Sequence, residues 1–218
     1  MVLIPWRARN FLSEYFPLLY HLAVNAGVGG NSQEHWDLKL AQFWDSPAAR
    51  WPTKSELIAS LTKPSDVILD IGCGNGSILR HLQGLGYSQL QGLEISSYAI
   101  QRLRGEGIEM HYGVLPSIPL PEATFDVVIA SQVLEHVIRR RRFVSEMRRV
   151  LKPGGRALIF VPDDCLGPIN EPEHVIKYNA HSLRECLQQC FTVIRLDSMH
   201  DVNHEMPILF AHVEKTVS

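Results

Sequence analysis

Residues 66–79 read DVILDIGCGNGSIL, an apolar run that ends in Asp70 and passes at once into Gly72, Gly74 and Gly76. Each glycine loses more backbone freedom on folding than any other residue. Three placed this closely mark a point where the chain turns sharply and something comes against the main chain. The short apolar run reads as a buried strand, and the pattern that begins at Ser77 reads as a helix. Strand, glycine loop and helix in that order open a parallel α/β unit, with the loop at the carboxyl end of the strand.

The rest of the chain continues the alternation. Strand-like runs occupy 67–71, 90–95, 108–112, 125–130, 156–161, 191–198 and 208–213, with helical patterns near 76–84, 97–104, 141–151 and 180–190. Alternating strands and helices predict a doubly wound, mostly parallel seven-stranded sheet with VILDI as the first, central strand. Only the turn-rich HDVNHEMP separates the last two runs, so they are expected to form an antiparallel hairpin at the C-terminal edge. Upstream, QEHWDLKLAQFWD (33–45) sets Trp36, Leu40, Phe43 and Trp44 on one helical face, which predicts a helix burying an aromatic stripe. The expected organisation is one compact domain, a helical cap over 1–62 and a core over 63–218.

Composition excludes some classes. A chain of 218 residues, 45% hydrophobic and 20% charged with net charge -2, can bury one substantial core and carries no global signal for nucleic acid or anionic membrane. Charge is uneven: Arg139–Arg156 holds a local +7, leaving -9 elsewhere. The run Arg139–Arg142 has no interleaved aromatics and reads as an exposed helix entry. Cys73, Cys165, Cys186 and Cys190 show no metal or disulfide spacing, which points to a reduced, cytoplasmic protein. The apolar run Phe16–Val24 is too short to span a bilayer and reads as a helix packed on the domain, with surface contact to a membrane as its alternative.

What the glycine loop binds is narrowed by what it lacks. A dinucleotide loop needs a glycine at position 77, where this chain has Ser77. A phosphate-cradling loop needs a lysine, and none lies between Lys63 and Lys152. Glu94, closing the next strand, suits a carboxylate that accepts both hydroxyls of a ribose.

The segments LDIGCGNGSIL, GLEIS, FDVVIASQVLEHV and MRRVLKPGGRALIFVP together resemble the class I S-adenosylmethionine-dependent methyltransferases, in particular the ubiquinone/menaquinone-biosynthesis type. The resemblance covers residues 67–162 in the family's order. It implies a Rossmann-like methyltransferase fold with S-adenosylmethionine as cofactor. It also implies roles: Gly72, Cys73, Gly74 and Gly76 around the methionine part, Asp70 orienting its ammonium group, Glu94 on the ribose and Ile95 against the adenine. Ser131 would offer its carbonyl near the ammonium. Many relatives carry Gly-Asp-Ala where this chain has Gly113-Val114-Leu115, so adenine recognition falls to shape and to the Leu115 amide. The pair Trp44-Asp45 would lie over the cofactor as a lid.

Transfer to a hydroxyl or amine requires a proton to leave. His136 after strand four and His174 after strand five are the candidate bases, with Tyr178, Asp163 and Asp164 nearby in sequence. His200, His204 and Glu205 lack a third ligand at metal spacing, so a solvated loop and no metal are expected there. Enzymes that methylate nucleobase or glutamine nitrogens carry Asp/Asn-Pro-Pro-aromatic after strand four. This chain reads Ser131-Gln132-Val133-Leu134, which favours a small-molecule acceptor, oxygen first, with nucleic acid disfavoured. The alternative is a cofactor-binding protein without transfer activity.

Overall fold

The structure, a computed structural model, describes residues 31–163 and 173–216 together with residues 11, 15 and 16. Most of the run Phe16–Val24, Asp164 and Cys165 lie outside the described residues, as does the side chain of Glu205.

Seven strands form one sheet in the order β3-β2-β1-β4-β5-β7-β6. They are β1 (Ile68–Ile71), β2 (Leu90–Glu94), β3 (Glu109–Tyr112), β4 (Phe125–Ser131), β5 (Leu151–Pro162), β6 (Thr192–Asp201) and β7 (His204–Glu214). All neighbouring pairs from β3 to β5 are parallel, while β7 runs antiparallel to both β5 and β6. The expected doubly wound sheet and its C-terminal hairpin are therefore present. The strands of that hairpin pair to Asp201↔His204, so HDVNHEMP is mostly strand rather than loop. Strand order reverses between β1 and β4, which sets the glycine loop at the topological switch point.

Side chains alternate across the central strands, and each face buries its own core. Ile68, Val127, Ile129, Leu158 and Phe160 pack with Ile78, Leu79, Leu82, Ile100 and Leu103. The last five come from α3 (Ser77–Gly84) and α4 (Ser97–Gly105). Leu69, Ile71, Val128, Ala130 and Ile159 face Phe143, Val144 and Met147 of α5 (Arg140–Val150) and Leu183 and Leu187 of α6 (Ala180–Leu187). The helical repeat produces this: in α5, Phe143, Val144, Met147 and Val150 are buried while Arg141, Arg142 and Ser145 are exposed.

Among the described residues two α-helices precede β1, one over the carboxyl end of the sheet and one packed on the sheet face. α1 (Gln33–Phe43) buries none of its own residues. Trp36 and Leu40 are half-buried, Phe43 is exposed, and only Trp44, just past the helix, enters the core. The expectation of a buried aromatic stripe is thus corrected. The polar residues around Trp36 give α1 no continuous apolar face, and hydrogen bonds hold it together with the packing of Leu40. α2 (Pro52–Ser60), opened by a proline at its first turn, was not foreseen; it buries Lys54, Ser55 and Ile58.

Candidate functional site

A cavity of about 540 Å³ opens at the switch point, under α1 and above the carboxyl ends of β1, β2 and β4. Gly72, Gly74, Glu94, Ile95, Leu115 and His136 line it, all of them expected site residues, together with Trp36, Leu40, Gln132 and Arg139. Asp70, Cys73, Gly76, Ser131, Trp44 and His174 are not among the lining residues.

The glycines divide by cause. Gly72 and Gly76 both have left-handed backbone, φ +63° and +74°. A Cβ on Gly72 would meet a Val133 methyl at 2.6 Å on the cavity side. A Cβ on Gly76 would meet Leu103 at 2.4 Å, so this glycine lets α3 pack on α4 and does not face the cavity. Gly74 donates its N–H to Glu94 at 2.9 Å, and Ile95 and Ser96 donate theirs to the same carboxylate at 2.7 and 3.0 Å. Burial raises the Glu94 carboxyl above its ordinary range, and these three N–H groups act against that rise. The carboxylate thus reaches the cavity already oriented, with about one lone-pair site left on Oε2.

Beneath the floor lies a charge cluster that sequence reasoning missed. The fully buried Lys54 donates to Ser131 Oγ at 2.9 Å and stands 3.2 Å above the Trp51 ring. Burial brings its amine down to about 7, opposed by Glu135, Asp201 and Asp70. Asp70 is pushed up to about 8, first by burial and then by the charge of Glu94. Nothing local marks Lys54, since a lysine in an exposed-looking helix start reads as solvated. The expected lid residue Trp44 is corrected likewise. It is buried, edge-on to Tyr98, and lines a second cavity with Asp45 and Arg80; Trp36 and Leu40 stand over the first. Burial also carries the Cys73 thiol well above its ordinary range.

His136 and His174 do come together. Their rings meet edge to face at 4.9 Å, and Trp36 meets His136 in the same way at 5.4 Å. Burial, then the neighbouring His174, lowers His136 to about 4, and burial lowers His174 to about 4. Both imidazoles are therefore neutral near pH 7. The Nδ1–H of His136 donates to the Glu173 carbonyl at 3.0 Å, which leaves Nε2 as its acceptor nitrogen. Tyr178 is buried with its hydroxyl pushed well up by burial, and Asp163 bridges to it through main chain. His204 is also structural: it stacks on Trp51 at 3.4 Å and donates to the Ala48 carbonyl at 2.8 Å. A solvated loop was expected there, and packing against the N-terminal segment replaces it.

Comparison with known proteins agrees with this geometry. Residues 69–159 match the family described as methyltransferase domain. A Mycolicibacterium smegmatis protein named "Probable S-adenosylmethionine-dependent methyltransferase" is 31% identical over 173 residues, 69% of this chain and 65% of that one. "Probable tocopherol O-methyltransferase, chloroplastic" of rice is 29% identical, covering 65% of this chain and 40% of its own. An Arabidopsis thaliana tRNA (carboxymethyluridine(34)-5-O)-methyltransferase is 35% identical, covering 58% and 31%. The chain thus spans less than two thirds of each of these relatives. In fold, it is similar to a solved complex of the Haloferax volcanii Trm112 methyltransferase activator with a methyltransferase, at TM-score 0.72 and 18% identity over 85% of this chain and 96% of that one. Among the described residues no helix is long and apolar enough to cross a membrane. The matched segment runs from β1 to β5 and holds the glycine loop, Glu94 and His136, so the part of the chain that is similar to the methyltransferase-domain family supplies most of the cavity wall.

Proposed function

We propose that this protein transfers a methyl group from S-adenosylmethionine to a small molecule, at oxygen, in the manner of the ubiquinone/menaquinone-biosynthesis type. The residues present fit the cofactor. Gly72 and Gly74 leave open main chain where side chains would intrude, and Glu94 offers the cavity a fixed carboxylate with an Oε2 lone pair still free. Bound S-adenosylmethionine supplies an electrophilic sulfonium methyl. Glu94 would hold the ribose, Ile95 and Leu115 the adenine, and Asp70 and Ser131 the ammonium end from beneath. Trp36 and Leu40 exclude water from above.

The observation that carries the reading is His136: a neutral imidazole in the wall of the same cavity, its Nδ1–H held by Glu173 and its Nε2 available to take a proton. Nε2 would take the proton of a hydroxyl acceptor seated in the cavity, and His174 packs beside that ring as the nearest second base. The cavity's largely apolar wall supports a small acceptor. A second reading, an RNA acceptor, draws on Arg139 at the cavity wall, the exposed Arg141 and Arg142, and the tRNA-acting relative. A cytoplasmic setting and a cap over 1–62 on a core over 63–218 complete the proposal.

S-adenosylhomocysteine should raise the melting temperature, because it binds the native state alone, and NAD should not. A melting temperature raised only by NAD defeats the assignment. Methylation of bulk tRNA with radiolabelled S-adenosylmethionine, lost on Arg139→Ala, would favour RNA over the small molecule.

A further inference from the structure

We propose that Glu173 is a positioning residue that couples the seating of α1 over the cavity to the orientation and shielding of His136. The inference rests on the reading of that cavity as the transfer site.

Helix α1 makes polar contacts on two sides. On one, Asp37 accepts from Ser96 Oγ at 2.6 Å, Ser97 Oγ at 3.0 Å and the Tyr98 N–H at 3.0 Å, fixing α1 to the start of α4. On the other, Glu173 Oε1 accepts from His35 Nε2 at 2.9 Å and Lys39 Nζ at 3.0 Å. Both donors sit on α1, one turn apart, flanking Trp36. Glu173 is 6% exposed. Burial works against its charge, but Lys39, then the residue's own main-chain N–H and His35, outweigh it and hold the carboxyl down at about 2. Glu173 is therefore ionised whenever α1 is seated.

The main chain of the same residue completes the connection. The Glu173 carbonyl accepts both the His136 Nδ1–H and the Asn31 amide, each at 3.0 Å. One residue thus grips α1 by its carboxylate and His136 by its carbonyl. Seating α1 also brings Trp36 edge-on to His136, so the helix that the carboxylate latches covers one side of the half-buried imidazole. If the carboxylate lets go, Trp36 moves off, water reaches the ring, and the carbonyl shifts away from Nδ1. His136 would then lose both its shielding and its fixed tautomer.

The groups facing His136 decide how this is tested. His174 and Glu173 come from the segment after β5, Glu135 adjoins it in sequence, and Lys39 and His35 come from α1. Losing the negative charge of Glu173 would by itself lower the His136 pKa, since that charge supports the imidazolium. Admitting more water to the half-buried imidazole raises it. The two effects have opposite signs, so Glu173→Gln separates a local charge effect from release of the helix.

The experiment titrates His136 by nitrogen-15 imidazole NMR in the full chain, and follows S-adenosylhomocysteine release by stopped-flow tryptophan fluorescence. Glu173→Gln should move the His136 midpoint up from about 4 toward the ordinary 6.5 and mix its two tautomers. Ligand release should quicken by about tenfold, within the usual range of coupling between sites. Lys39→Met breaks the same latch from the α1 side and should reproduce the faster release even if Glu173→Gln folds poorly, while Lys39→Arg should restore it. A midpoint that falls or stays, or release that is unaltered in Lys39→Met, overturns the coupling. Wild-type protein that does not bind S-adenosylhomocysteine overturns the transfer site instead, and the His136 titration still judges the latch.

Discussion

The backbone N–H of Gly74 donates to a carboxylate oxygen of Glu94 at 2.9 Å, so the glycine loop and the end of β2 form one rigid edge of the cavity. Glu94→Ala removes both the proposed ribose partner and this tie. S-adenosylhomocysteine binding, measured by calorimetry, should weaken by about 1.5–3 kcal/mol, the scale of hydrogen bonds to a charged group. Glu94→Gln keeps one acceptor oxygen and should lose less.

Gly76→Ala should act on stability. The new methyl meets the buried Leu103 at 2.4 Å on left-handed backbone, and Leu103 is 0% exposed and cannot withdraw. Urea unfolding should show a loss of about 1–3 kcal/mol, as for an overpacked core. A loss of ligand affinity with stability unchanged would instead give Gly76 a direct binding role.

The two tryptophans near the site should separate. Trp44→Ala empties a core position and should cost about 3–5 kcal/mol of stability. Trp36→Ala touches the cavity wall and should change S-adenosylhomocysteine affinity and quench the binding-induced fluorescence change with little shift in melting temperature.

Methyl transfer should depend on pH through His136. Its imidazole is charged below about 4 and neutral above, so single-turnover rate should rise as pH climbs through that value and then level. His136→Ala should lower the rate by about 10²–10⁴-fold while S-adenosylhomocysteine affinity holds. A near-normal rate in that variant would move the proton to His174.

The Lys54 cluster should shape stability. With Lys54 at about 7 folded and 10.5 unfolded, the unfolded state holds more protons between these values, and stability rises with pH there. Asp70, at about 8 folded and 3.8 unfolded, binds more protons when folded, and its contribution is lost as pH rises through 8. Lys54→Met should remove the rise between about 7 and 10.5 and Asp70→Asn the fall between 3.8 and about 8, read from urea unfolding across both windows. Unchanged slopes would mean that neither group shifts.

Much of this was legible in the chain because it depends on near neighbours. The alternation of strand and helix, the glycine loop after VILDI and the acid that closes LQGLE are local patterns. They follow from periodicity and backbone freedom, and they determined the sheet, its switch point and the position of Glu94. His136 and His174 stood out because few side chains move protons near neutral pH.

Tertiary structure decided which of two tryptophans eight residues apart faces the cavity, that Gly76 serves packing, and that Lys54 lies under the floor of the site. It also brought Glu173 against both α1 and His136, partners 134 and 37 residues away in sequence. Periodicity reports the faces of one element. Which face is buried, and which charge another charge meets, depends on the elements packed against it. Burial and pairing are properties of the assembled chain, and the chemistry of His136 rests on both.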